Sequence, residues 1–386
     1  MIFRNYYLFL FALLIFSVSC KREKKEEVEY THLVNVNTTV SDSLNLEDYV
    51  KDIEFVLLET KSDAMIDHID RLIIGVDNIF IFDKKQKTIF IYSSSGKFLK
   101  KISKVGKASN EYFRIDDFYI EKSEFIYILD MISKRVLKYD LNANFVNSYK
   151  LDFYADSFCK LKDGSYVFSV SGNDCNDSFC DKVIFCDDDF KVIKTFIPIK
   201  SKFKGFNIET PTRRLVSSSG DLVRYVDIDD MIYSFKDTDL KEIKRVDFMK
   251  NNLELSFYDT KFTDAGEFLS AVINQKKANW IHNYLEDDLF IVFKYFMDKK
   301  SYSYIYSKES KKGMVLRNIE SDFISISPLF IKDNTFFEYQ NPVRLLQKAQ
   351  HPTSSIDSLL YAKLIREFPL IDETLNPLIV KYSVEF

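Results

Sequence analysis

Histidine and tryptophan are nearly absent from this 386-residue chain, which has four His and one Trp. His32, His68, His282 and His351 are scattered, with no second His at ligand spacing, which argues against a metallohydrolase built on His ligands. Glycine (nine) and proline (seven) are scarce too, and there is no P-loop, no HExxH and no GxSxG turn. No pattern calls for a cofactor or a metal. Charge of one sign is also lacking: 54 Lys and Arg are interleaved with 58 Asp and Glu, for a net charge of −4 and no basic stripe. A nucleic-acid partner is therefore not expected.

Long apolar runs are confined to the start. Arg4 is followed by the apolar and aromatic stretch Tyr6–Phe16, which is shorter than the ~20 residues of a membrane-spanning helix and has the length of a secretion-signal core. It ends in Ser17-Val18-Ser19-Cys20, which resembles the lipobox of bacterial lipoproteins, with Ser17 where that pattern usually has Leu. The resemblance implies cleavage after residue 19, a lipid on Cys20 and a membrane partner through that anchor. The run Lys21–Glu29 (KREKKEEVE) reads as a solvated tether, so residues 20–45 are expected to lie outside the folded body. Charged residues just after a lipidated Cys also resemble surface-export signals of Gram-negative lipoproteins. An outer-membrane lipoprotein follows, with its periplasmic or surface face left open.

Beyond Cys20, four cysteines cluster from Cys159 to Cys186. In an exported chain they allow up to two disulfides, and Cys175 and Cys180, which bracket a polar loop, are the favoured pair. The spacing matches no standard zinc pattern. Asp174, Asn176, Asp177 and Asp181 in the same loop lack the spacing and glycine of a calcium-binding EF-hand, and a solvated hairpin tip is the simpler reading.

What the chain has in abundance is aromatic residues, 36 Phe and 23 Tyr, which suit pleated sheet. They fall in a repeat. Residues 71–102 carry four short apolar runs separated by turn residues, a four-stranded meander. The pattern returns over 116–151, 157–197, 213–247 and 283–319. Phe98, Phe145, Phe190 and Leu240 mark its last strand at intervals of 47, 45 and 50 residues, the size of a propeller blade. The inner runs Ile79–Phe82 and Phe125–Leu129 are apolar at every position, so both of their faces need cover; neighbouring blades supply it. Ile53–Glu59, Asp322–Ser327, Thr335–Tyr339 and Leu378–Glu385 are expected to form one more blade from both ends of the chain, closing a ring with no exposed edge. The fold is thus all-β: a six-bladed β-propeller over residues 46–386. A small helical insertion is expected at about 250–282, and a C-terminal helix over Ser355–Phe368.

The stretches IEFVLLET, IFIFDKKQKTIFIYSSSGKFLKKI, NEYFRIDDFYI and IYILDMISKRVLKYDLNANF resemble the six-bladed, NHL-repeat-like β-propeller lipoproteins of the bacterial envelope. The resemblance runs over roughly residues 45–386. It implies the fold and an envelope location, and little about activity. Asp83 and Asp130 stand where such repeats carry an Asp and read as turn caps.

Two segments break the regularity. In the Val105–Asp117 connection, Gly106, Glu111 and Tyr112 match the relatives. Glu111 and Tyr112 either brace adjacent blades or join Arg114 and Asp117 on a propeller face, an aromatic among charges suited to a sugar or peptide. In the Asn251–Trp280 insertion, Trp280 and His282 at its end are either packing or a ligand platform. The function expected is a non-enzymatic binding or scaffold module that meets a glycan, peptide or envelope protein through face loops. The alternatives are a carbohydrate-active enzyme, whose carboxylate pair cannot be picked among so many acids, and a sensor or assembly partner of an envelope complex.

Overall fold

The structure, a computed structural model, describes residues 29–38, 48–170, 180–200, 203–206, 213–217, 222–317, 321–325, 327–372 and 374–385. Strands β1 (Thr31–Asn35) and β2 (Val50–Leu57) precede five blades continuous in sequence. Blade 1 is β3–β6 (Arg71–Ile74, Asn78–Asp83, Thr88–Ser93, Phe98–Ile102). Blade 2 is β7–β10 (Asp117–Glu121, Phe125–Asp130, Arg135–Asp140, Phe145–Lys150), and blade 3 is β11–β14 (Ser157–Lys160, Tyr166–Ser169, Asp181–Cys186, Val192–Pro198). Blade 4 is β15–β18 (Leu215–Ser217, Leu222–Val226, Met231–Lys236, Asp239–Asp247), and blade 5 is β19–β22 (Asn279–Glu286, Phe290–Met297, Lys300–Ser307, Lys312–Leu316). Blade 6 joins β23–β25 (Phe330–Lys332, Thr335–Gln340, Leu378–Val384) to β2, which pairs with β25 as its outermost strand.

The first strands of successive blades touch one another and form the inner wall of the ring. Middle strands such as β4, β5 and β8 are buried at nearly every position, as expected for a sheet covered on both sides. Six hydrophobic clusters fill the six gaps between blades. One sets Phe80 and Ile91 of blade 1 against Phe118 and Ile128 of blade 2, and another sets Leu72 and Phe90 against Ile379 of blade 6. Truncating one such ring, Phe118→Ala, removes packing worth ~3–5 kcal/mol.

Three expectations are corrected. Asp322–Ser327 is not a strand: Asp322 is held by Lys348, Thr353 and Tyr361, while Glu338 takes the N–H groups of Ser325 and Ser327, and the short β23 forms the inner wall instead. Thr31–Asn35, assigned to the tether, lies parallel to β18 as a fifth strand of blade 4. The insertion ends earlier than expected, at residue 278, so Trp280 and His282 lie within the inner strand of blade 5.

Helix α1 (Ala265–Asn274) occupies the insertion as its sequence suggested. The Asp264 carboxylate caps the Glu267 N–H, and Glu267 reaches back to the Thr263 N–H. Helices α2 (Pro342–Lys348) and α3 (Ser355–Glu367) interrupt blade 6, and α3 stops before Pro369. Among the described residues no helix is long and apolar enough to cross a membrane.

Candidate functional site

Because the inner strands all run the same way round an antiparallel ring, every blade-to-blade connection and every link between second and third strands falls on one face. On the other face the links within blades are turns of two to five residues, such as 237–238 and 161–165. Among the described residues, the first face carries the long segments 58–70, 103–116, 248–278 and 341–372. We call these the loop-bearing and turn-bearing faces.

Along 103–116 the candidates separate. Tyr112 is fully buried between blades 1 and 2; its hydroxyl donates to the Lys87 carbonyl at 2.9 Å, with the Ile102 carbonyl at 3.1 Å sharing that proton, and accepts the Lys104 N–H, and burial pushes its pKa up to about 12. It has no surface to offer a ligand. Glu111 turns inward to accept the Ala108 N–H at 2.9 Å, and its carbonyl takes Arg135. Its carboxylate lies so close to Gly106 that a Cβ there would sit 1.9 Å from Oε2, so a side chain at 106 would push the Glu111 carboxylate aside. These two residues brace the blades. Arg114 is part-exposed and pairs with Asp116 at 2.5 Å. Asp83 takes the Asp67, His68 and Gln86 N–H groups, and Asp130 takes the Phe113 N–H and the Ser133 hydroxyl. Each thereby pins the connection that leads into its own blade.

Asp117 opens the inner strand of blade 2, and four blades meet on it. It pairs with Arg71 of blade 1, accepts the blade 3 Phe158 N–H at 2.9 Å, and accepts Arg213 Nε at 2.8 Å from the approach to blade 4. Arg213 also bonds the Phe158 carbonyl. Beside it, Lys182 pairs with Asp227, and Arg214 lies 3.5 Å from the same carboxylate. Burial opposes ionisation of Asp227, but these two cations outweigh it and hold its pKa below the usual range. Asp156, between the two groups, is partly buried, and desolvation raises its pKa.

A small cleft opens next to this cluster, lined by Arg213, Arg214, Asp227, Trp280, His282 and Tyr284. Its volume, about 10 Å³, is room for one water molecule. Trp280 and His282 reach it because β19 is irregular: its register slips between Asn279 and His282 and again before Leu285, and Trp280 sits at φ 61°. A bulky residue in the left-handed region is strained. The buried carboxyl of Asp230 holds this backbone through the Ile281 N–H at 3.0 Å. Burial is the main cause that raises the Asp230 pKa to about 7. The His282 ring stacks on Phe296 at 4.8 Å with Nδ1 facing the Trp280 carbonyl, and burial lowers its pKa. Its neutral form therefore dominates, with the Nδ1 proton directed at that carbonyl. The Trp280 Nε1 is buried without a hydrogen-bond partner. The insertion roofs this region with its own core, in which Tyr258, Phe262 and Phe268 pack on Phe203 and Phe206.

Asp117, Trp280 and His282 are thus gathered by way of Arg213, whereas Glu111 and Tyr112 stand apart as structural members. Arg71, Arg213 and Arg214 escaped sequence reasoning. The Arg213-Arg214 doublet directly before an inner strand was the available signal. Cys180 is disulfide-bonded, and Cys159 and Cys186 are buried, reduced thiols. Cys20 and Cys175 lie outside the described residues, as do Asp174, Asn176 and Asp177.

Two solved structures of bacterial proteins are similar to this ring. A "Putative exported protein" from Bacteroides fragilis is similar over 92% of this chain and 99% of its own, with 16% identity and a TM-score of 0.74. A member of the duf4221 family from Bacteroides vulgatus is similar over 87% of this chain and 98% of its own, with 9% identity and a TM-score of 0.50. At such identities the likeness is one of fold. No curated protein is detectably similar in sequence. One family profile matches nearly the whole chain, over residues 31–383, and the chain belongs to that family, described as a domain of unknown function (DUF4934).

Proposed function

We propose that the protein is an exported, lipid-anchored binding module of the bacterial envelope that recognises its partner through the loop-bearing face. The observation that carries this reading is the asymmetry of the ring. Among the described residues from β2 onward, the long connections, the three α-helices and the charged cleft lie on one face, and the links on the other are short turns. Loops can vary without disturbing packed strands, so recognition belongs where the loops are.

Two further features support it. The relative from Bacteroides fragilis is described as exported and shares the ring over almost its whole length. Strand β1 runs parallel to β18, which ends on the loop-bearing face, so the segment before Thr31 approaches from the turn-bearing side. A lipid on Cys20 would then hold the turn-bearing face toward the membrane and present the loops outward. The 11 residues from Cys20 to Thr31 span at most about 40 Å.

The test is a glycan and peptide array probed with wild type and two variants. In one, 254–275 is replaced by a short Gly-Ser linker; the Ala278 N–H to Asn251 carbonyl bond at 2.9 Å still clasps the base of the insertion. In the other, the turn 141–144 is recoded. Binding that is lost in the first and kept in the second is expected. Binding unchanged by the first replacement in a cooperatively melting protein refutes the assignment.

A further inference from the structure

At the mouth of the ring, pairs of cations share single carboxylates. Asp117 is shared by two guanidinium groups, Arg71 and Arg213, and Asp227 is shared by Lys182 and Arg214. In the other nearby acids, Asp156 and Asp229, desolvation disfavours the charged form. Burial of like charges around too few counter-charges is unfavourable unless a further anion is present.

An independent feature adds a donor at the same place. The only tryptophan of the chain is held in a strained conformation at a double irregularity of an inner strand, fixed through Asp230 and the Ile281 N–H. Bulges of this kind re-aim side chains. Here the result is an indole N–H that is buried, lacks a partner and belongs to a residue lining the cleft with Arg213. An indole N–H can only donate, so the group that satisfies it is an acceptor.

We infer that this cleft is an oxyanion subsite, where Arg213 and the Trp280 indole N–H receive a carboxylate or sulfate group of a ligand lying on the loop-bearing face. The cleft has room for one oxygen of that group, and the rest of the ligand extends outward over the face. Arg71 and Arg214 supply the surrounding positive field. The inference deepens the proposed recognition face, yet its test needs neither the lipid nor the natural partner, so the two fail separately.

Trp280 is the sole tryptophan, so its emission reports on this cleft alone. Sodium acetate and sodium sulfate are titrated into the folded protein at constant ionic strength, balanced with chloride. A saturable change in Trp280 emission is expected, weakened about tenfold or more in Arg213→Gln, as for loss of a charge-assisted hydrogen bond. Calorimetric titration of Trp280→Phe, which keeps an aromatic ring and loses the N–H, should show weaker binding as well. If Arg213→Gln does not fold, Arg213→Lys, which keeps the charge and loses the planar fork, takes its place and is expected to bind more weakly. No saturable change in wild type, or a folded Arg213 variant that titrates like wild type, overturns the inference.

Discussion

Asp230 shows how one residue ties the stability of the ring to its candidate site. Its carboxyl is buried in the turn after β16, its backbone stands at φ 63°, and it anchors the strained strand that carries Trp280. With its pKa raised to about 7, the folded protein keeps a proton that the unfolded chain releases near pH 4. The contribution of Asp230 to stability should therefore be greatest at acid pH, fall as pH rises from about 4 to 7, and level off above that, a loss on the order of a few kcal/mol. Asp230→Asn keeps an acceptor and tolerates positive φ, but carries no charge. Urea unfolding at pH 5 and pH 8 should show wild type losing more stability across that interval than the variant; equal losses would remove Asp230 as the cause. None of this was legible in the sequence, where Asp227-Ile228-Asp229-Asp230 reads as an acidic turn. The same holds for Asp117 and Arg213, which lie 96 residues apart and meet only because four inner strands converge. For Tyr112 the sequence offered a brace between blades or a ligand contact, and the buried hydroxyl facing the Lys87 and Ile102 carbonyls makes it a brace.

Among the elements, the strands with two buried faces were legible, because β4, β5 and β8 are apolar at almost every position and can only be covered on both sides. Strands that depend on distant partners were not. The inner strand β23 has three residues and little pattern, while the alternating Asp322–Ser327 imitated a strand that the backbone never forms. Strand β1 carries too little apolar sequence to announce itself and is ordered by its pairing with β18. Closure itself rests on a residue that pattern reading passed over. Asn376, just before β25, is buried; its amide donates to the Glu59 and Ala64 carbonyls and its oxygen accepts the Ile66 N–H. It thereby latches the last strand to the connection between blades 6 and 1. Asn376→Ala leaves these buried groups unpaired and should cost about 2–4 kcal/mol in equilibrium unfolding. A variant within about 0.5 kcal/mol of wild type, the range of ordinary surface changes, would show that the latch is dispensable.

At the scale of the whole molecule, the six gaps between blades are each filled by their own hydrophobic cluster, so no blade has an uncovered side and the ring behaves as one body. A rigid ring whose described long connections after β2 lie on one side is suited to presenting a surface, and the proposed lipid anchor would decide which way that surface points. The parallel pairing of β1 with β18 places Thr31 at the turn-bearing end of blade 4, so the proposed anchor would approach from that side. The most direct test is an orientation measurement on lipidated protein in vesicles, with acylation of Cys20 first verified by mass spectrometry. One dye is placed by Asn142→Cys, on an exposed turn of the turn-bearing face, and another by Lys276→Cys, exposed on the insertion. Quencher-bearing lipid headgroups should quench the dye at position 142 strongly and the dye at 276 weakly. Stronger quenching at 276 than at 142 would mean that the loops face the membrane, and would contradict the account.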